Sequence, residues 1–214
     1  MFVLSLLRTG TQSTHELLEA AGRRGIHWPA RFAGVDYQAR IAGHETDPGY
    51  IVDVLAPVIA AHDVLSDVPI CALYETLAER YPDSLFLALT RPAADWVRSV
   101  RRHVGAQPLD PYEKVLFWRY LPGRPASLAA VSDEALTDMH RRHHEGLRSF
   151  FAGSGRFRLL ELYDPRAGEA ICAFLGLPPR PLPHFDYMSD PPAAVRRLGR
   201  LARAAWQRFN PGRS

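Results

Sequence analysis

Cysteine is scarce: Cys71 and Cys172 are the only two in 214 residues. They lie far apart in apolar helical contexts, and no metal-ligand spacing joins them, which argues against a cysteine metal site. Two buried core thiols are expected, consistent with a reducing, cytoplasmic compartment. No stretch approaches the ~20 apolar residues of a membrane span. Residues 2–7 are too short for the apolar region of a secretory signal, and Arg8 follows at once, so none is expected. No internal repeat is present. No G-x-x-x-x-G-K-[ST] occurs, which excludes a Walker A loop.

What is present fits a globular α/β chain. Hydrophobic residues make up 47% and charged residues 23% of the sequence, enough for a sizeable core. The net charge is only +3, which points to no nucleic acid and suits a small anionic ligand equally well. Residues 2–6 read as a buried strand and 12–22 as a helix. Residues 24–49 read as irregular. A helix is expected over 50–62, a short strand at 64–65, and a helix from Pro69 to about Tyr81. The continuous apolar run 84–90 reads as a central parallel strand covered on both faces. Helices are expected from Arg91-Pro92 to about 103, around 112–120, and over 134–152 with Asp133 as cap. A strand at 157–162 and a helix at 164–175 follow. Residues 178–192 hold six prolines, and 191–209 read as a basic helix. Alternating strands and helices argue for a central, mostly parallel sheet flanked by helices, a three-layer sandwich like that of P-loop folds. The expected division is an α/β domain over 1–190 and a basic C-terminal helix over 191–214, packed on the domain or extending from it.

The chemistry concentrates at two strand ends. The first is Arg8-Thr9-Gly10-Thr11-Gln12-Ser13, where an apolar strand meets a hydroxyl-rich glycine turn that opens a helix. Backbone N–H groups of such a turn converge on an anion, and the helix N-terminus adds partial positive charge. The second is Arg91, leaving the central strand, with Ser99 eight residues on. A guanidinium gives bidentate recognition of a phosphate, and a hydroxyl adds a donor. Plainer readings stand beside these. Thr9-Gly10-Thr11 would also serve as a simple turn, and Arg91 would also pair with Asp95. Trp96 reads as core. His140, His143 and His144 share a helix at metal-like spacing, but no fourth ligand accompanies them, so a solvated helix face is expected.

Taken in order, these motifs resemble those of sulfotransferases that use 3′-phosphoadenosine 5′-phosphosulfate (PAPS). In that family a basic residue before Ser/Thr-Gly-Thr forms the 5′-phosphosulfate loop, and an Arg and a Ser eight residues apart bind the 3′-phosphate. The likeness extends through Asp67-Val68-Pro69, through Tyr81-Pro82 to Arg91, and to Phe174-Leu175-Gly176-Leu177-Pro178, covering about residues 2–186 of a small single-domain, bacterial-type member. Departures are Leu7, Gln12 in place of a usual Thr or Ser, Ser13 where cytosolic members place a Trp on adenine, and no evident C-terminal Arg-Lys-Gly loop. The resemblance implies metal-free sulfuryl transfer to a hydroxyl or amine of a small-molecule acceptor. Arg8, Thr9, Gly10, Thr11, Gln12, Ser13, Arg91 and Ser99 would bind the donor, with Arg8 also acting on the leaving phosphate. Asp67 stands near the place of the family's catalytic base, and an N-cap for the following helix is its plainer role; His27 and Asp36 are rival bases. Trp28, Tyr37, Tyr112, Phe117, Trp118 and Tyr120 would hold an acceptor or fill the core. The other classes kept open are a small-molecule kinase on a related sheet and a non-catalytic nucleotide-binding module. The basic C-terminal helix would pack on the domain, with membrane-surface contact as the lesser option. Oligomeric state is not legible.

Overall fold

In the computed structural model, residues 1–183 are described. The order of elements is β1 (Phe2–Val3), α1 (Thr11–Ala20), β2 (Gly25–His27), β3 (Arg31–Phe32), β4 (Val35–Asp36), α2 (Tyr37–Ile41), α3 (Pro48–Ala61) and β5 (Val64–Ser66). A 3₁₀ turn (Ile70–Ala72) follows, then α4 (Tyr74–Arg80), β6 (Phe86–Thr90), α5 (Ala93–His103), α6 (Pro111–Tyr120), α7 (Asp133–Phe150), β7 (Phe157–Glu161) and α8 (Ala167–Phe174). Five strands form one sheet in the order β2-β5-β1-β6-β7, and every pairing in it is parallel. β3 and β4 form a separate hairpin.

This order dictates the layers. From β1 the chain moves toward the β2 edge, and afterwards every crossover moves the opposite way. Right-handed crossovers therefore place α1 on one face and α3 to α7 on the other. The core divides accordingly. Val3, Val64, Leu87 and Leu89 pack with Leu17 and Leu18 of α1 and with Ile171 and Cys172 of α8. Phe2, Leu65, Phe86 and Ala88 point the other way, into the larger core with α3 to α7. Alternate residues of one strand thus serve opposite faces, as the pleat requires. Both cysteines are free and buried, one in each core.

Several local expectations are corrected. The stretch 24–49, read as irregular, contains the edge strand β2, the β3–β4 hairpin and the short helix α2. Pro69 opens a 3₁₀ turn rather than a helix running to Tyr81, and α4 starts afresh at Tyr74. Ser132, not Asp133, caps α7: its hydroxyl accepts from the Ala135 N–H at 3.2 Å, while Asp133 binds Arg101. The basic helix expected at 191–209 lies outside the described residues, as do Pro191 and Pro192. No helix among the described residues is long and apolar enough to cross a membrane.

Candidate functional site

Parallel strands carry their connecting loops at the carboxyl edge, and a change of direction in strand order opens a crevice there. Here that edge gathers the ends of β2, β5, β1 and β6. Three of the four turn through a residue in the left-handed region: Trp28 (φ 54°) after β2, Asp67 (φ 74°) after β5 and Arg8 (φ 65°) after β1. Such backbone costs a non-glycine residue about 1–2 kcal/mol. Strained residues of this kind cluster at sites with a function, because the surrounding structure has to hold them.

The Arg8 loop is held from several sides. Arg8 Nε donates to Ser99 Oγ at 3.2 Å, and Arg91 Nη1 donates to the Arg8 carbonyl at 3.0 Å. Arg8, Arg91 and Ser99 therefore meet, although 91 residues separate Arg8 from Ser99. The indole N–H of Trp96 donates to the Leu7 carbonyl at 3.0 Å. Gly10 (φ 70°) caps α1, and its carbonyl accepts from both the backbone N–H and the hydroxyl of Thr14 at 2.9 Å. The positive φ at Gly10 favours glycine, and a Cβ there would stand 2.5 Å from Leu162 Cδ1, so that side chain would have to move. The first N–H groups of α1 have no acceptor within the helix, which leaves them for the loop side. Two buried polar atoms, Thr9 Oγ1 and Arg91 Nε, have no hydrogen-bond partner among the described residues. Donors without acceptors at a helix N-terminus suit an anion. Gln12 instead sends its amide back to Glu16 at 2.9 Å. Thr11 and Ser13 are buried.

Asp95 does not take Arg91. It pairs with Arg98 and accepts the Tyr163 hydroxyl at 3.2 Å, while the Arg91 guanidinium lies 5.4 Å from the centre of the Tyr163 ring.

Two of the residues read as rival bases touch each other. His27 Nε2 lies 3.1 Å from Asp67 Oδ2, and His27 Nδ1 lies 3.1 Å from the hydroxyl of the buried Ser66. Both ring nitrogens are thus engaged, whereas among the described residues Asp67 Oδ1 accepts only its neighbour's N–H, from Val68 at 2.9 Å. A carboxylate has about four lone-pair sites, so Asp67 keeps capacity for a further proton or donor. Asp67 caps no helix, since the 3₁₀ turn beyond it has no side-chain cap. Asp36 is committed elsewhere: it caps α2 through the Ala39 N–H at 2.9 Å and pairs with Arg31 at 2.8 Å.

The histidines of α7 are the main correction. His140, His143 and His144, expected on a solvated face, are all buried. They continue the inward stripe of Leu136, Met139 and Leu147, while Arg141, Arg142 and Glu145 face outward. His143 Nε2 donates to the Leu4 carbonyl at 2.9 Å, and the Tyr120 hydroxyl donates to Nδ1 at 3.0 Å. Burial and the neighbouring His144 push the His143 pKa down to about 3, and the same causes push His140 down to about 4. Among the described residues no group of His, Cys, Asp or Glu side chains is placed to hold a metal ion.

Sequence reasoning missed the polar duties of Trp96, His143 and Ser66. The signal for Trp96 was available: a buried indole N–H needs an acceptor. Of the aromatic residues suggested for an acceptor, Tyr37, Tyr112, Phe117 and Tyr120 are buried, and Tyr112 donates to the Pro29 carbonyl at 2.8 Å. Trp28, next to His27, is 41% exposed at the site edge.

Comparison with known proteins matches the family described as sulfotransferase domain to residues 1–190. No curated protein matches the chain. A sulfotransferase from Alicyclobacillus acidocaldarius, known from its crystal structure, is similar over 100% of this chain and 96% of that one, with 15% sequence identity and a TM-score of 0.47.

Proposed function

The chain belongs to the sulfotransferase domain family, and from that premise we propose that it transfers a sulfuryl group from PAPS to a hydroxyl or amine of a small-molecule acceptor. The observation that carries this reading is the meeting of Arg8, Arg91 and Ser99 at one sheet edge, beside a glycine-capped helix start. The chemistry of these residues fits a donor with two phosphate groups. Arg91 and Ser99 offer a guanidinium and a hydroxyl to the 3′-phosphate, and the loop N–H groups with Thr9 offer donors to the 5′-phosphosulfate.

Bound PAPS supplies the sulfuryl group, whose bond to the 5′-phosphate oxygen breaks as a bond to the acceptor forms. Arg8 and the N–H groups of Gly10 and Thr11 neutralise charge that grows on the leaving phosphate, a contribution greatest in the transition state. Asp67 takes the proton of the acceptor. His27 holds Asp67 in place and is itself fixed by Ser66. A positioned base contributes about 10²–10⁴-fold to such a reaction. Trp28 and the irregular connections around it border the acceptor side.

The reading is tested by calorimetric titration with the desulfated product, 3′-phosphoadenosine 5′-phosphate (PAP), beside ADP with Mg²⁺, on wild type and Arg91→Ala. Micromolar PAP binding that disappears in Arg91→Ala is expected. Binding of Mg-ADP in its place would turn the assignment to a kinase, and binding of neither would leave the fold without a nucleotide role.

A further inference from the structure

We propose that Trp96 and His143 are positioning residues for the Arg8 loop; this rests on the reading of that loop as the donor site. The need for them starts in the sheet. β1 and β6 pair in register at Phe2 with Phe86 and Val3 with Leu87. The last backbone bond of this pairing runs from Leu4 N–H to the Leu87 carbonyl at 2.6 Å. Beyond it the two strands part, and the next inward N–H, that of Leu89, donates to Ser5 Oγ at 2.8 Å instead of to a strand carbonyl. The fork makes room for the loop, but it strips backbone groups of their ladder partners. Buried groups of that kind have to find other partners.

Side chains from α5 and α7 supply them. His143 donates to the Leu4 carbonyl at 2.9 Å and Trp96 to the Leu7 carbonyl at 3.0 Å. Both side chains are fully buried, so neither can touch a ligand in the crevice; they act through the backbone they hold. Each is itself fixed. The Leu4 carbonyl only accepts, so the proton of neutral His143 sits on Nε2, and Nδ1 is left to accept from Tyr120 at 3.0 Å. Trp96 packs on His140, with ring centres 5.3 Å apart. Trp96 also lies on the same helix as Ser99, which receives Arg8. One helix therefore sets the backbone of the loop and the side chain that leaves it. A loop of strained φ keeps its N–H groups aimed only while such contacts last.

The experiment is PAP titration of wild type, Trp96→Phe, His143→Phe and His143→Gln, each with its thermal midpoint. Losing one hydrogen bond of ordinary net strength corresponds to about tenfold in affinity. Trp96→Phe and His143→Phe are expected to weaken PAP about tenfold or more. His143→Gln, whose amide can still donate to Leu4, is expected to stay within about threefold of wild type. Midpoints that fall while both phenylalanine variants bind PAP as wild type does would overturn the proposal and leave these residues purely structural. A wild type that binds no PAP would overturn the donor reading, and the positioning role with it. Should the phenylalanine variants not fold, the indole N–H resonance of Trp96 in the wild type decides. A shift on PAP saturation, despite full burial, is expected, and an unmoved resonance would refute the coupling.

Discussion

Asp67 and His27 illustrate how residue chemistry assigns roles that residue type leaves open. Either is an acceptable general base by type. Geometry separates them, because His27 has Asp67 on one ring nitrogen and Ser66 on the other, whereas Asp67 retains unused acceptor capacity. Removing the carboxylate charge should therefore cost more than removing the imidazole. Asp67→Asn is expected to lower kcat by about 10²–10⁴-fold, the range of a lost general base. PAP affinity should stay within about twofold, because Asp67 lies outside the Arg8 and Arg91 cluster. His27→Gln, which keeps a donor toward Asp67, is expected to lose about tenfold, the value of one hydrogen bond. Single-turnover kinetics with preloaded donor would check this, and a larger loss in His27→Gln than in Asp67→Asn would reverse the two roles. The cluster of Arg8, Arg91 and Ser99, from which the proposed donor site is built, was legible one residue at a time, since these residues and Gly10 each occupy a motif position. The meeting of Ser66, His27 and Asp67 was not. His27 and Ser66 lie 39 residues apart, on strands whose pairing the local sequence does not announce.

Elements were legible where pattern and punctuation agreed. The buried run of β6 is such a case, and so is the helix expected around 112–120, observed as α6; the capping box of Asp110 and Glu113 that starts it was not read from the sequence. β2 has only three residues, too few for any periodicity, and it exists because β5 pairs with it. In α7 residue type overrode spacing. His140 and His143 stand four residues after Leu136 and Met139, and His144 stands three before Leu147, on the apolar stripe, a spacing that goes with burial. Their burial has a measurable consequence. His140 and His143 have pKa values depressed to about 4 and about 3, and His144 is also lowered. The common first cause is burial; the basic groups Arg91, Arg119 and Arg148 add to it. An unfolded histidine binds its proton near pH 6.5. Below that pH the unfolded chain holds more protons than the folded one, so stability falls as pH falls, down to the depressed values. The slope approaches about 1.4 kcal/mol per pH unit for each histidine. Urea unfolding at steps from pH 7 to pH 5, above the carboxylate range, should show this decline, and His143→Gln should make it shallower. A free energy independent of pH over that interval would contradict buried, neutral histidines.

At the scale of the molecule, the crevice sits where the sheet has least freedom. β1 and β6 lie inside the sheet, between β5 and β7, with helices on both faces. Phe2, Val3, Leu4, Phe86, Leu87, Ala88 and Leu89 are all essentially inaccessible. The Arg8 loop and Arg91 spring directly from these two strands, so they cannot come apart while the sheet stands. A ligand that bridges them is therefore linked to global unfolding rather than to local fraying. At a hundred times its dissociation constant, such a ligand adds about 2.7 kcal/mol to stability. For a chain of this size that corresponds to a rise of about 5–10 °C in the thermal midpoint. PAP is expected to give such a rise. AMP at the same concentration, which lacks the 3′-phosphate that Arg91 and Ser99 would hold, should give a rise of no more than about a degree. Equal shifts from the two nucleotides would mean that Arg91 and Ser99 do not read the 3′-phosphate. Their contacts to Arg8 would then serve only to brace the loop.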